Sequence, residues 1–478
     1  MHGDELSCTR TRLGPLAAVL LLVSVIAGGC GTSDSAPPGG FPLAAATVVD
    51  RAVRAHMEAG LIPGVAVAIV DPDRGTFRQA YGLADIATGR PATVDDHYRI
   101  GSVTKTFTAT AVLRLAEQGR LALDDRLEHF VPGVPNGGAT TLRHLLGMRG
   151  GVYDYSRDPE FVEQQAPAEP TRVWSGRDVL RIIAAHPGEA KPPGRQGVYS
   201  NSEYYLLGMV LERVTGRPLR QVLGDLAAEY GLRATSFPGD GSLPDPAGRG
   251  YAYAADVAVD VTERTRPEVY GAAGAMVSTV ADLALYAGAL GRGELLQEST
   301  FRERTEFTEI ALPAGGTVPY GLGLIENGHW LTHSGAVLGY SSQIGYLPDH
   351  DVGVVVVANQ YTLPPEQLLI SASNIWSAIV DDLYPGTRGA AVAESVVTPP
   401  VPTVASRRGR RPPSRRLADE YDEAGADRGT DAAISFVVDT SSCMHPASRA
   451  RPPVRWSRRV RSLPVAGGRS HPTANGVV

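Results

Sequence analysis

The chain has 478 residues, a formal net charge of −6, 43% hydrophobic and 20% charged residues. That length admits one large catalytic unit of two packed subdomains with residues to spare, and the acidic balance argues against a nucleic-acid binder. Its three cysteines, Cys8, Cys30 and Cys443, all fall outside the stretch that reads as the folded body, so neither a disulfide framework nor a cysteine metal site is expected there.

Arg10 and Arg12 precede an apolar run from Leu13 to Ala27 that ends in Gly28-Gly29-Cys30. A basic start, a short apolar stretch and small residues are the pattern of a secretory signal peptide over 1–29. A cysteine directly after two glycines resembles a bacterial lipobox, with Cys30 as the lipidated residue. Export and a lipid anchor on the outer face of the cell membrane are therefore expected. Residues 30–40, rich in Ser, Pro and Gly, read as a tether.

The body runs from 41 to 386. Gly64–Val70 is a β-branched apolar run and predicts a buried strand, with Thr76–Ile86 as its hairpin partner after a DPDRG turn. A helix is predicted from Ser102 to Gln118, stopped by Gly119. Further helices are predicted at Leu142–Leu146, Val179–Ala185, Glu203–Val214 and Leu219–Ala228. Strand signals return at Tyr320–Ile325, Gln343–Leu347 and Val352–Ala358, before a last helix from Leu368 to Leu383. Strands at both ends with helices between them predict a mixed α/β fold closed by its termini, with a helical insertion and a cleft between the two parts. Residues 387–478, rich in Pro and Arg, show no sustained apolar periodicity and read as a disordered tail.

Three short motifs carry chemistry. Ser102-Val103-Thr104-Lys105 puts a hydroxyl and an amine on one face at the start of a helix, where developing negative charge is favoured. The chain has only two lysines, Lys105 and Lys191, against a large excess of arginine. Arginine cannot supply a neutral amine, so a lysine kept at this motif carries weight. Lysine is a weak base at its usual pKa, so desolvation or nearby cations must hold some of it neutral. Tyr199-Ser200-Asn201 offers a proton shuttle in Tyr199 and a substrate- and lysine-orienting amide in Asn201. His333-Ser334-Gly335 is expected on an edge strand, where its side chains could hold a carboxylate or assist proton transfer; the backbone amides of Ser102 and Ala336 are candidates for an oxyanion hole. Taken singly, each motif also fits helix capping, a turn or a structural histidine.

In this order and spacing, the motifs resemble the family of class C β-lactamases, low-molecular-weight D-alanyl-D-alanine carboxypeptidases and related esterases. The resemblance covers roughly residues 45–385, including Tyr98-Arg99-Ile100-Gly101, Gly274–Thr279 with Asp282, and Tyr320-Gly321-Leu322-Gly323. It implies a β-lactamase/transpeptidase-like fold, an antiparallel sheet flanked by helices. It also implies an acyl-enzyme route with Ser102 as nucleophile, Lys105 and Tyr199 handling its proton, and Asn201, His333, Ser334, Gly335 and Ala336 binding substrate. A His-Ser-Gly where the family often has Lys-Thr-Gly points to carboxypeptidase or esterase over β-lactamase. The substrate is expected to be a small peptide, ester or β-lactam, with peptidoglycan as a candidate source. A penicillin-binding sensory module without catalysis is the rival of another class, and three intact motifs argue against it. No metal-ligand spacing, phosphate loop or dinucleotide fingerprint stands out, so no cofactor is expected.

Overall fold

Strand β1 (Gly64–Asp71) shows why the terminal strands read as continuous apolar runs. Val65, Val67 and Ile69 face one buried layer, while Ala66 and Ala68 face another. The computed structural model describes residues 40–164, 174–187, 190–254, 257–264, 266–313, 315–361 and 371–389. The leader, Cys30, most of the tether, the start of the last helix at Leu368 and nearly all of the tail lie outside the described residues.

After β1 come β2 (Gly75–Asp85), β3 (Arg90–Pro91), β4 (Tyr98–Arg99), β5 (Gly197–Val198), β6 (Tyr251–Ala254), β7 (Val257–Asp260), β8 (Val277–Ser278), β9 (Thr308–Ala311), β10 (Thr317–Tyr320), β11 (Ile325–Asn327), β12 (Trp330–Val337), β13 (Tyr340–Leu347) and β14 (Val352–Ala358). Ten of them form one sheet in the order β3-β2-β1-β14-β13-β12-β11-β10-β9-β5. Every pairing is antiparallel except β5 with β9. β1 lies against β14, Val65 opposite Ala358, so the two ends of the body close the sheet at its centre. The short ladders β4–β8 and β6–β7 stand apart.

The helices are α1 (Leu43–Gly60), α2 (Thr104–Glu117), α3 (Leu142–Leu146), α4 (Pro159–Gln164), α5 (Gly176–Ala185), α6 (Asn201–Thr215), α7 (Leu219–Glu229), α8 (Pro267–Tyr270), α9 (Val280–Gly291), α10 (Glu298–Arg304) and α11 (Ser371–Leu383). α1 and α11 cover one face of the sheet through Val49, Val53, Ile375, Trp376 and Ile379. The other face packs on α9 and on α2, where Phe107 stacks on Tyr286 at 3.7 Å between ring centroids. The mixed α/β fold, its antiparallel sheet and its helical insertion are those the sequence predicts.

Three local expectations are corrected. Sequence patterning assigns no element between Phe41 and Pro63, yet α1 buries Ala45, Val49, Ala52 and Val53, the stripe of a helix with one covered face. Tyr320–Ile325 is not one strand. It is the hairpin between β10 and β11, because Gly321 sits where a Cβ would stand 2.1 Å from the Arg304 carbonyl oxygen and Gly323 takes φ +78°. β12 is not an edge strand in the sheet order; β11 covers it only from Trp330 to Thr332, and the half bearing His333–Val337 turns towards the Ile100–Gly101 backbone.

Trp376 is 1% exposed, meets Trp330 edge to face at 5.1 Å and donates its indole N–H to the Val354 carbonyl at 3.1 Å. Trp376→Ala is expected to destabilise the fold by roughly 3–5 kcal/mol in urea unfolding. The labelling rate of Ser102 in the folded variant is expected to stay unchanged, because the tryptophan packs on the face of the sheet opposite α2.

Candidate active site

Ser102 lies in a 3₁₀ turn, Gly101–Val103, that runs directly into α2. The turn is locked from three sides. Ile100 N–H donates to the Met276 carbonyl at 3.0 Å, Met276 N–H donates to Thr104 Oγ1 at 3.1 Å, and the Ser342 hydroxyl donates to the Ile100 carbonyl at 2.7 Å. Gly335 allows this close approach, since its Cβ would stand 2.0 Å from the Ile100 oxygen. Gly101 has φ +50° and would place a Cβ 2.6 Å from the Ala336 nitrogen. The two glycines thus bring the Ala336 backbone alongside the Ser102 turn, the arrangement needed for a paired-amide oxyanion hole.

Lys105 rises from the first turn of α2 and is fully buried. Its Nζ lies 2.8 Å from Ser102 Oγ, 2.7 Å from Asn201 Oδ1 and 2.9 Å from the Ala273 carbonyl oxygen. The rings of Tyr199 and Tyr204 stand 4.9 and 5.9 Å from the nitrogen. Burial pulls the Lys105 pKa down to about 7, with the Asp154 charge opposing the fall. A neutral amine has two N–H bonds and one lone pair. Asn201 Oδ1 and the Ala273 carbonyl only accept, so both N–H bonds go to them and the lone pair is left facing Ser102 Oγ. Burial favours the neutral form, and the geometry then orients its lone pair to take the serine proton.

Tyr199 follows β5, its N–H donating to the Ala311 carbonyl at 2.9 Å, and its side chain lies beside Ser102 with the ring against Lys105 Nζ. Burial raises its pKa well above the usual phenol value, so it stays a neutral donor. Asn201 opens α6, and its Nδ2 donates to Ser156 Oγ at 2.9 Å. Four of the sequence-derived residues thus meet at one centre, Ser102 and Asn201 hydrogen bonded to Lys105 and the Tyr199 ring packed against it.

His333 is placed differently from the expectation. It is 1% exposed, its Nδ1 lies 2.7 Å from the Ser334 carbonyl oxygen and its Nε2 3.4 Å from the Tyr320 hydroxyl. Burial, reinforced by Lys105, lowers its pKa to about 3, so it is a neutral imidazole that donates from Nδ1 and accepts at Nε2. A charged imidazole for a substrate carboxylate is not what the fold presents. Its ring packs against Tyr320 and Tyr199, at 6.1 and 6.4 Å between centroids. Ser334 and Ala336, unlike His333, are only partly buried.

Sequence reasoning missed several residues of this centre. Asp154, on the loop after Gly150–Gly151, accepts from the Ser156 hydroxyl at 2.9 Å and the Ser156 N–H at 3.1 Å. Glu203 on α6 is 1% exposed and accepts from the Gly150 N–H at 3.1 Å; burial pushes its carboxyl up to about 8. Arg304 is fully buried, donating to Thr110 Oγ1 at 2.8 Å and to the Thr106 carbonyl at 3.1 Å, so it clamps α2 to the end of α10. Beyond Tyr320 lies a cavity of about 320 Å³ lined by Arg143, His144, Arg149, Glu303 and Glu306. It carries charges of both signs, and Ser102 does not line it.

Because Lys105 must be neutral to act, the reactivity of Ser102 towards an acylating or phosphonylating reagent is expected to rise with pH along a limb centred near 7. At pH 5 the rate should lie about a hundredfold below its plateau. Lys105→Arg keeps a cation but no base and is expected to lose about 10²–10⁴-fold in rate at every pH up to 9. An arginine variant that kept the wild-type rate would remove Lys105 from the role of base.

Comparison with known proteins places this geometry. The sequence profile described as Beta-lactamase matches residues 49–371. The chain is similar to a penicillin-binding protein of Bacillus subtilis (strain 168), 25% identical over 302 residues that make up 59% of this chain and 65% of that one. It is also similar to a putative D-alanyl-D-alanine carboxypeptidase of Escherichia coli (strain K12), 31% identical over 223 residues, 43% of this chain and 50% of that one. The chain spans 60–65% of the length of the curated relatives it matches first. Among solved structures, the D-stereospecific amidohydrolase from Streptomyces sp. superposes with a TM-score of 0.59 at 30% identity, covering 70% of this chain and 99% of that one. With its profile match across most of the body and a Ser-Lys-Tyr-Asn centre built round the buried Lys105, the chain belongs to the beta-lactamase family of serine hydrolases.

Proposed function

We propose that the protein is an exported amide hydrolase of the D-alanyl-D-alanine carboxypeptidase type, acting on short peptides or amides of D-residues through a Ser102 acyl-enzyme. The observation that carries this reading is the three-way environment of Lys105, which leaves a neutral lone pair on Ser102 Oγ. As Oγ bonds to the scissile carbonyl carbon, its proton passes to Nζ and the carbonyl π pair moves onto oxygen, facing the Ser102 and Ala336 amides. Collapse breaks the C–N bond, and the departing amine takes a proton through Tyr199, which recovers one from Lys105. Water then attacks the ester, losing its proton to the same pair of residues, and Ser102 is released.

The state of His333 bears on the substrate. Its neutral, internally bonded ring supplies no positive charge where a substrate carboxylate would approach, leaving the Ser334 hydroxyl and backbone amides for that task. This favours a second reading, an amidase for D-amino-acid amides, which have no carboxylate beside the scissile bond. The similarity to a D-stereospecific amidohydrolase supports the same reading. An esterase on the same scaffold is the nearest alternative, and β-lactam hydrolysis ranks below both. Export and lipidation at Cys30 belong to the proposal and rest on the leader's apolar run and Gly-Gly-Cys junction. They would put the enzyme at the outer face of the cell membrane, within reach of peptidoglycan stem peptides.

Purified protein is expected to release D-amino acid or ammonia from acylated D-Ala-D-Ala and from D-amino-acid amides at least tenfold faster than from the L-enantiomers. Ser102→Ala should abolish both activities. Hydrolysis confined to short-chain esters would replace this reading with the esterase one, and rapid turnover of a chromogenic cephalosporin would replace it with a β-lactamase.

A further inference from the structure

Asn201 can serve Lys105 only in one of its two amide orientations, and the structure contains a device that fixes which. If the amide turned over, Nδ2 would face Lys105 and donate into the amine lone pair, which would then be lost to Ser102. What prevents this lies one step further from the substrate. Asp154 is nearly fully buried, which raises its carboxyl above the usual range, and its Oδ1 receives two donors, the Ser156 hydroxyl at 2.9 Å and the Ser156 N–H at 3.1 Å. With the Ser156 N–H already on it, Oδ1 is an acceptor, so the Ser156 hydroxyl beside it donates to the same oxygen. The Ser156 proton is therefore committed to Asp154, and its oxygen can only accept from the remaining neighbour, Asn201 Nδ2, at 2.9 Å. The Asn201 oxygen is left for Lys105 at 2.7 Å.

We propose that Asp154 is a positioning residue for the acylation step: through Ser156 it locks the Asn201 amide so that the Lys105 lone pair points at Ser102. The relay is directional, Lys105 N–H to Asn201 Oδ1, Asn201 Nδ2 to Ser156 Oγ, Ser156 O–H to Asp154 Oδ1, and each link sets the polarity of the next. The titratable and charged groups around Lys105 are Asp154, Tyr199, Tyr204 and His333, with Arg304 behind His333, and among these Asp154 supplies the negative charge.

The inference rests on the Ser102–Lys105 reading, and its test separates the two. The readout is the second-order rate of Ser102 labelling by a fluorophosphonate probe across pH 5–9, for full-length wild type, Asp154→Asn, Ser156→Ala and Ser156→Thr. Wild type should show its limb near pH 7. Ser156→Ala keeps the Asp154 charge, so its limb should stay in place while the plateau falls about 10–100-fold, the range of a lost orienting partner. Ser156→Thr retains the hydroxyl and should restore the plateau to within about threefold, as a conservative replacement of one donor-acceptor group by another. Asp154→Asn should lower the plateau and move the limb to lower pH, because the charge that favours the ammonium is gone. A purely structural role would lower the amount of folded protein without moving the limb and without rescue by threonine. Wild-type plateaus in Ser156→Ala, or no difference between the alanine and threonine variants, would overturn the inference even if Asp154→Asn failed to fold. A wild type unlabelled at Ser102 would overturn the nucleophile assignment and this inference with it.

Discussion

The burial of one amine sets the terms for the rest of this site. A lysine in water is an ammonium, and moving it from its usual pKa to about 7 shifts its preference towards the neutral form by roughly 5 kcal/mol. That shift works against folding. The unfolded chain binds the proton more tightly, so the cost is present in full below about pH 7 and is relieved as pH rises towards the unfolded value. The surrounding structure offsets it with the apolar body of α2, which buries Phe107, Val112 and Leu115, and with two oxygen acceptors supplied by distant segments, Asn201 Oδ1 and the Ala273 carbonyl. Arginine could occupy the same space and never give up its proton. The retention of lysine at position 105 in an arginine-rich chain follows from that difference.

The parts of the site that sequence made legible are those whose chemistry demands a residue type at a fixed local spacing. Ser102 and Lys105 are one helical turn apart, and Tyr199 and Asn201 flank a strand end and a helix start. β1 and β14 were equally readable, because a strand buried on both faces is written in Val, Ile and Ala whatever surrounds it. The helical insertion was legible in the order of strands and helices, and the family resemblance then joined the motifs and implied the antiparallel sheet.

What escaped sequence reading depends on contacts between distant segments. Asp154 has no local pattern, and its meaning arises from Asn201, whose amide meets Ser156 across 45 residues. The Ala273 carbonyl reaches Lys105 across 168 residues and, being backbone, leaves no trace in residue identity. α1 was written in its Ala45, Val49, Ala52, Val53 stripe, but small residues give a weak signal beside a Val- and Ile-rich strand. His333 was visible as a residue but not in state, because its neutrality comes from burial against Tyr320 and Tyr199, which no spacing in the sequence records.

The pairing of β1 with β14 also has a consequence in time. Gly64 donates its N–H to the Asn359 side chain, 295 residues further along the chain, and the Ala336 amide belongs to the same late portion. During synthesis the first strand therefore waits for nearly the whole body before it finds its neighbour, and the nucleophile waits equally long for its oxyanion partner. A growing chain holding Ser102 and Lys105 is chemically silent until its last strands arrive. Prematurely ended products would carry Ser102 and Lys105 without the late strands that complete the sheet beside them.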